Sequence, residues 1–303
     1  GRYTERADNT IRLARLALEY LGGEEQSSAP LLQWLTQLAQ INTLVLPGVP
    51  SAVQARRVFE RSIIASLASP DGATGVGYNM RALKMAAATV RERLSQEHWA
   101  TIVRAEEEVF QRCAQLAAQG DYAPNQALRI LKDASDHLAA ITGAQTDRMT
   151  READGLLLTA GRLVERLSGY ASFMRAFVQQ GAWCSPAGFD LLLMLFDSKI
   201  TFRARFQRRL EWPALVATLV TDEANPRALA CVLRRLRTEL GKLPEHAGPL
   251  TGLLDLLPQV SVGVPLSDLV RPGSGEQAAL ALSLRLNEAA WRLSDELGLR
   301  YFA

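Results

Sequence analysis

The sequence predicts an all-α protein of about ten helices, arranged as two duplicated helical halves packed about a pseudo-two-fold axis. Three observations lead there. Apolar residues recur at helical three- and four-residue spacing along almost the whole chain, with no convincing alternating strand. Stretches rich in Gly, Pro and Ser ("LGGEEQSSAP", "LPGVPS", "SPDGATGVGYN", "GDYAPN", "WCSPAG", "RPGSG") punctuate it at helix-length intervals. The same charged hexapeptide also occurs twice: "GRYTER" opens the chain and "GRLVER" begins at residue 161, both of the form G-R-x-x-E-R.

Taken in order, the periodic stretches predict helices over 2–21, 30–45, 51–69, 79–119, 124–143, 150–180, 186–211, 213–221, 225–243, 247–257 and 276–300. The element at 79–119 is too long for one ordinary helix and is expected to break near Ser95. Ser185 before Pro186 has the form of a helix cap followed by a first-turn proline, and so does Asn225 before Pro226. Residues 189–196, "FDLLLMLF" from Phe189, are apolar nearly all round, which marks a central helix rather than a membrane span of ~20 residues.

The repeat extends beyond the hexapeptide. "NMRAL" at 79–83 is followed by "RERL" at 91–94, and "NPRAL" at 225–229 by "RTEL" at 237–240. The order of motifs is the same in both halves, so an old duplication into repeats of approximately 1–145 and 146–303 is expected within one domain.

Bulk composition narrows the function classes. The chain has 303 residues, 48% hydrophobic and 22% charged, as soluble globular proteins do. A net charge of +2 makes no electrostatic case for nucleic acid or an anionic membrane. Of the cations 30 are Arg and 4 are Lys, which fits either a coding bias or a use for bidentate, permanently charged contacts. Cys113, Cys184 and Cys231 are odd in number and widely spaced, so a reducing cytoplasm is expected and no disulfide framework. His98, His137 and His246 share no metal-ligand spacing, and no metal is expected. The chain opens in mid-helix without Met, a capping residue or a signal peptide, which suggests a fragment of a longer protein or a lost start.

Projecting 2–21 at 100° per residue gathers Tyr3, Ala7, Thr10, Ile11, Ala14, Ala17, Leu18 and Leu21 on one arc. Glu5, Asn9 and Arg12 share the opposite face, and Arg6 lies at the edge of the apolar arc. In the second copy Arg166 falls among Tyr170, Phe173 and Phe177, and Glu165 lies over the small seam Gly169, Ser172 and Ala176. Each copy thus predicts a partly buried Arg and a Glu on a packed face. A buried guanidinium needs a carboxylate, because breaking such a pair costs on the order of 3–5 kcal/mol. "DSKITFRARF" offers one: Asp197 ends the apolar run, and continuing the helix brings Thr201, Arg203 and Arg205 inward with it. Helices beginning at Asn79 and Asn225 would place Arg81 and Arg227 in first turns, where a cation costs ~0.3–1 kcal/mol against the helix dipole. Each is therefore expected to meet a carboxylate or an anion.

With "GRYTERADNTIRLARL", "TAGRLVERL", "DSKITFRARF", "NPRALACVLRRL" and the closing "LSDELGLRYF", the whole chain resembles the bacterial alpha-E domain, formerly a domain of unknown function. The glycine-rich "DGATGVGYNMRAL" departs from that family's pattern. The resemblance implies a domain that occurs alone or fused behind a circularly permuted ATP-grasp amide ligase, with transglutaminase-like proteases as further partners. It carries over a charged set in this sequence: Glu5, Arg6, Asn9, Glu165, Arg166, Asp197, Thr201, Arg203, Asn225 and Arg227. It implies no cofactor in this chain, with ATP and Mg belonging to the ligase.

Three readings stand side by side. One is a helical partner of the ligase that binds it, or a peptide-like small molecule, through a central Glu/Arg cluster. Another is an independent enzyme with Glu5 or Glu165 as general base on an amine. The third is an interaction module whose charges form an internal salt-bridge lattice. "GATGVG" at 72–77 has neither the preceding strand nor the Gly-Lys-Ser/Thr of a phosphate loop and reads as a connector. Glu97 and His98 in "QEHWATI" lack the second His of a zinc helix and read as surface packing. Cys184 has no neighbouring His in sequence to activate it.

Overall fold

A computed structural model describes residues 1–23, 28–70, 74–120, 122–148, 152–207, 209–244, 251–258, 266–271 and 273–301. Among them the secondary structure is helical, without strands, in fourteen α-helices. The chain divides into two compact units, Tyr3–Thr150 and Arg151–Ala303, with Gly1–Arg2 grouped with the latter.

The first unit holds α1 (Arg2–Gly22, from Tyr3 onward), α2 (Ala29–Ile41), α3 (Arg56–Ser66), α4 (Val76–Ala88), α5 (Gln96–Gln119) and α6 (Pro124–Asp147). The expected break of 79–119 is present: a 3-10 turn at Arg91–Arg93 separates α4 from α5. Ser95 then caps α5, its hydroxyl accepting from the His98 amide at 3.1 Å. Gly120 ends α5 in the left-handed conformation at φ 69°, and Pro124 opens α6, so the two 24-residue helices pack side by side. Leu31, Trp34, Leu35 and Phe59 from α2 and α3 are wholly buried in its core. Within α4, Gly77 lies so near the Ala68–Ser69 backbone that a Cβ would stand 2.7 Å from it. Of the "GATGVG" stretch, residues 72–73 lie outside the described residues; Gly75 is the N-cap of α4.

The second unit is built on α7 (Ala153–Gln179). Around it come α8 (Pro186–Leu195), α9 (Lys199–Phe206), α10 (Trp212–Val216), α11 (Leu229–Leu240), α12 (Thr251–Asp255), α13 (Leu266–Val270) and α14 (Gly275–Tyr301). α7 packs against α14 and α11 and buries thirteen of its residues, from Ala160 to Val178. α8 is capped as its sequence indicates, Ser185 Oγ accepting from the Gly188 amide at 3.0 Å. The short α13 is locked by Trp212, whose indole N–H donates to Leu269 O at 2.7 Å.

Three local expectations are corrected here. The stretch 186–211 is two helices, because Asp197 takes φ 51° and turns the chain before α9 begins. Asn225 does not cap a helix: α11 starts at Leu229 with Ala228 as N-cap, since the Asn225 side chain is spent elsewhere. α4 starts at Val76, so neither Arg81 nor Arg227 lies in a first turn, and the dipole argument does not apply to them. The segment 266–270 was not anticipated, because five residues are too few to show a period. Of the expected helix 247–257, residues 247–250 lie outside the described residues, as does His246.

Candidate functional site

Of the hexapeptide charges, Glu5, Glu165 and Arg166 are buried, Arg6 and Arg162 are half-buried and Arg2 is exposed. In the first unit Glu5 is 2% exposed and Asn9 is also buried, so α1 is covered on the face opposite its apolar arc as well. Arg6 is half-buried, its guanidinium 5.8 Å from the Tyr3 ring centre. In the second unit Glu165 and Arg166 are both buried at 8% exposure, on a helix whose Tyr170, Phe173 and Phe177 are fully packed. Arg2 donates from Nε to Glu165 Oε1 at 2.7 Å across 163 residues of sequence. The glycines of the motif permit this approach. A Cβ on Gly1 would stand 2.1 Å from Leu158 O, and one on Gly161 3.1 Å from Arg2 Cγ.

The N-x-R-A-L segments repeat one arrangement in each unit. Asn79 is wholly buried and donates from Nδ2 to Thr10 Oγ1 at 3.3 Å and Thr74 O at 3.0 Å. Asn225 is likewise buried, at 4% exposure, and donates to Ser198 Oγ at 3.1 Å and Thr218 O at 2.9 Å. Its Oδ1 accepts from the Arg227 amide at 3.1 Å, while Asn79 Oδ1 has no hydrogen-bond partner. In both cases a buried amide bonds one hydroxyl and one backbone carbonyl. The arginine two residues on then meets a carboxylate: Arg81 lies 3.8 Å from Glu106, and Arg227 3.3 Å from Asp197.

Surroundings distinguish the two pairs. Glu106 is buried, also receives Lys84 at 3.0 Å, and Arg81 lies over the Phe110 ring at 4.8 Å. Arg227 instead donates from Nη1 to the Tyr170 hydroxyl at 3.1 Å, and Tyr170 stacks on Phe196 with ring centres 4.2 Å apart. The Asp197 side chain is 54% exposed and that of Arg227 24%.

Within the second unit, then, Asp197, Asn225 and Arg227 come together with Tyr170, and Glu165 pairs with Arg2. The inward placement expected of Arg203 and Arg205 is overturned. Both are exposed on α9, Arg205 pairing with Asp222 at 2.5 Å, and Thr201 is half-buried. The physical cause is the turn at Asp197, which resets the helical phase so that Phe202 alone of α9 is buried. Sequence reasoning also missed Tyr170, Ser198 and Thr218 as polar partners, because Ser198 lies 27 residues and Tyr170 57 residues from the partner, and Thr218 sits in a π-turn. His98, read as surface packing, is buried; burial, and then the charge of Arg148, hold its pKa below the usual imidazole value. Among the described residues no group of three His, Cys, Asp or Glu side chains is placed to hold a metal, and no helix is long and apolar enough to cross a membrane.

Comparison with known proteins agrees with this architecture. Residues 1–302 match the Alpha-E family, described as a predicted alpha-helical domain with a conserved ER motif. Uncharacterized proteins of Mycobacterium bovis and of two Mycobacterium tuberculosis strains are each 23% identical over 272 residues. That match covers 82% of this chain and 29% of each relative, so the chain spans less than a third of their length. No solved structure matches. The chain belongs to the Alpha-E family.

Proposed function

We propose that this domain is a non-catalytic or co-catalytic helical partner of an ATP-grasp-type amide ligase, holding a peptide-like acceptor through its paired carboxylates and arginines. The observation that carries this reading is the length of the relatives: the matched region is 29% of each, so the domain there is joined to a much larger remainder. A binding domain tethered to an enzyme raises the local concentration of what it carries. ATP-grasp chemistry activates a carboxylate as an acyl phosphate and then needs an amine delivered where water is scarce. Opposite charges at defined separation, such as Asp197 and Arg227, suit the two ends of such an acceptor. ATP and Mg belong to the ligase in this scheme.

The test mixes ligase, ATP, Mg and candidate amino acids with and without this chain, measuring phosphate release and ligated product by mass spectrometry. More product in its presence, and none from the chain alone, is expected. Equal product in both mixtures, or turnover by the chain alone, refutes the reading.

A further inference from the structure

We infer that the outer face of α14 docks a second copy of this chain, whose own α14 lies antiparallel across it in a two-fold pair centred on residue 290. The inference is independent of the ligase reading.

α14 has two unlike sides. Leu282, Leu286, Leu293 and Leu297 lie among the residues it buries within its own unit, where α7 is its main neighbour. The opposite side faces solvent and yet is not wholly polar. Of the five tryptophans only Trp291 is exposed, at 72%, and Leu299 and Leu284 are exposed on the same helix. Tryptophan is highly buried on average and is enriched at the centres of protein interfaces. At 100° per residue, Ala281, Glu288, Arg292, Asp295 and Leu299 fall within about 60° of arc, with Leu284 and Trp291 along one edge and Arg285 along the other. Large apolar side chains gathered on one solvent-facing stripe mark an interaction surface.

The charges on the stripe select the occupant. Arg285, Glu288, Arg292 and Asp295 alternate in sign, and the pattern reverses about residue 290. In an antiparallel copy crossing there, residues equally far either side of 290 face one another. Arg285 then meets Asp295 of the second copy, Glu288 meets its Arg292, and Leu299 lies over its Ala281, each contact made twice by symmetry. Within one chain Arg292 pairs with Glu288 at 2.7 Å, and both remain exposed. Asp295 and Arg285 have no ion pair among the described residues, and the Arg285 Nε is buried without an acceptor. The second copy supplies the partner that each lacks. A parallel copy would instead set Glu288 against Glu288 and Asp295 against Asp295. In the antiparallel pair the two Trp291 rings share one edge, only about 3 Å apart along the axis, close enough to stack. The stripe is ~27 Å long and about one helix wide, less than the ~800 Å² per partner of a standard stable interface, so the dimer is reversible.

Sedimentation equilibrium of the full chain between about 5 μM and about 1 mM should show the mass rise from 33.2 kDa toward twice that value. Trp291→Ala, Glu288→Arg and Arg292→Glu should each weaken self-association by at least about ten-fold, with the circular dichroism retained because all three side chains are exposed. Mixing the Glu288→Arg and Arg292→Glu chains restores opposite charges across the pair and should recover the dimer. Orientation is read by oxidation: Ala281→Cys and Leu299→Cys chains, each also carrying Cys184→Ser, should cross-link with one another and not with themselves. A chain that is monomeric at every concentration overturns the inference. So does a dimer indifferent to all three substitutions, a mixture that regains nothing, or cross-linking of either cysteine variant to itself alone.

Discussion

Replacing Asn225 by Ala tests whether this buried amide ties the second unit together. The substitution removes three hydrogen bonds: those to Ser198 Oγ at 3.1 Å and Thr218 O at 2.9 Å, and the one accepted from the Arg227 amide at 3.1 Å. Each contributes roughly 0.5–1.5 kcal/mol net, and a buried group left unbonded adds a penalty of about 1–3 kcal/mol. The Thr218 carbonyl is such a group, because it belongs to a wholly buried π-turn residue. A loss of about 3 kcal/mol follows, which for a unit of this size lowers Tm by roughly 6–12 °C. Asn79→Ala is the internal control: it removes two bonds, of 3.3 and 3.0 Å, and its Oδ1 has none to lose, so about 2 kcal/mol is expected. Urea titration followed by tryptophan fluorescence reads both, since Trp183 and Trp212 report on the second unit and Trp34 and Trp99 on the first. A loss below about 1 kcal/mol for Asn225→Ala, or one smaller than for Asn79→Ala, would show that the amide is not the tie described.

Two further outcomes are expected from His98 and from the cysteines. His98 has a folded pKa below its unfolded value of about 6.5, so the fold favours the neutral ring. Its contribution is therefore complete above pH ~6.5 and is lost as pH falls through the folded pKa; urea midpoints at pH 7 and 5 should show this, with a smaller difference in His98→Gln. An equal difference in the variant contradicts the assignment. Cys184 is exposed, whereas Cys113 and Cys231 are buried and burial raises the Cys113 pKa to about 11. Titration with a thiol reagent should modify one cysteine quickly and the other two only on unfolding; rapid reaction of all three would show that the burial is not maintained.

The all-α class, the break near Ser95 and the cap at Ser185 were legible in the sequence because each depends on residues within a turn or two of one another. The burial of Glu165 and Arg166 was legible for a related reason: their G-R-x-x-E-R copy lies inside a long periodic helix, where 100° per residue decides the face. Glu5, by contrast, is buried on the face opposite the apolar arc of α1, where periodicity alone does not bury it. That reasoning failed at Asp197. One residue at φ 51° discarded the helical phase, and Arg203 and Arg205 emerged on the surface.

The N-x-R-A-L repeat shows the same division more sharply. Its recurrence led to the expectation that Arg81 and Arg227 each meet a carboxylate or an anion, on the cost of a cation in a first helical turn; neither lies in one, yet each has a carboxylate within 4 Å. Which carboxylate would answer was not readable: Glu106 comes from α5, and Asp197 from the turn after α8. Nor was it readable that Phe110 and Lys84 would join one pair while Tyr170, 57 residues from Arg227, would join the other. The sequence by itself determined the helices and the need for charge pairing, because both follow from local periodicity and the cost of desolvating an ion. Only the tertiary structure decided that the carboxylate is the covered partner in one pair (Glu106) and the exposed one in the other (Asp197), because exposure depends on neighbours brought in from distant helices.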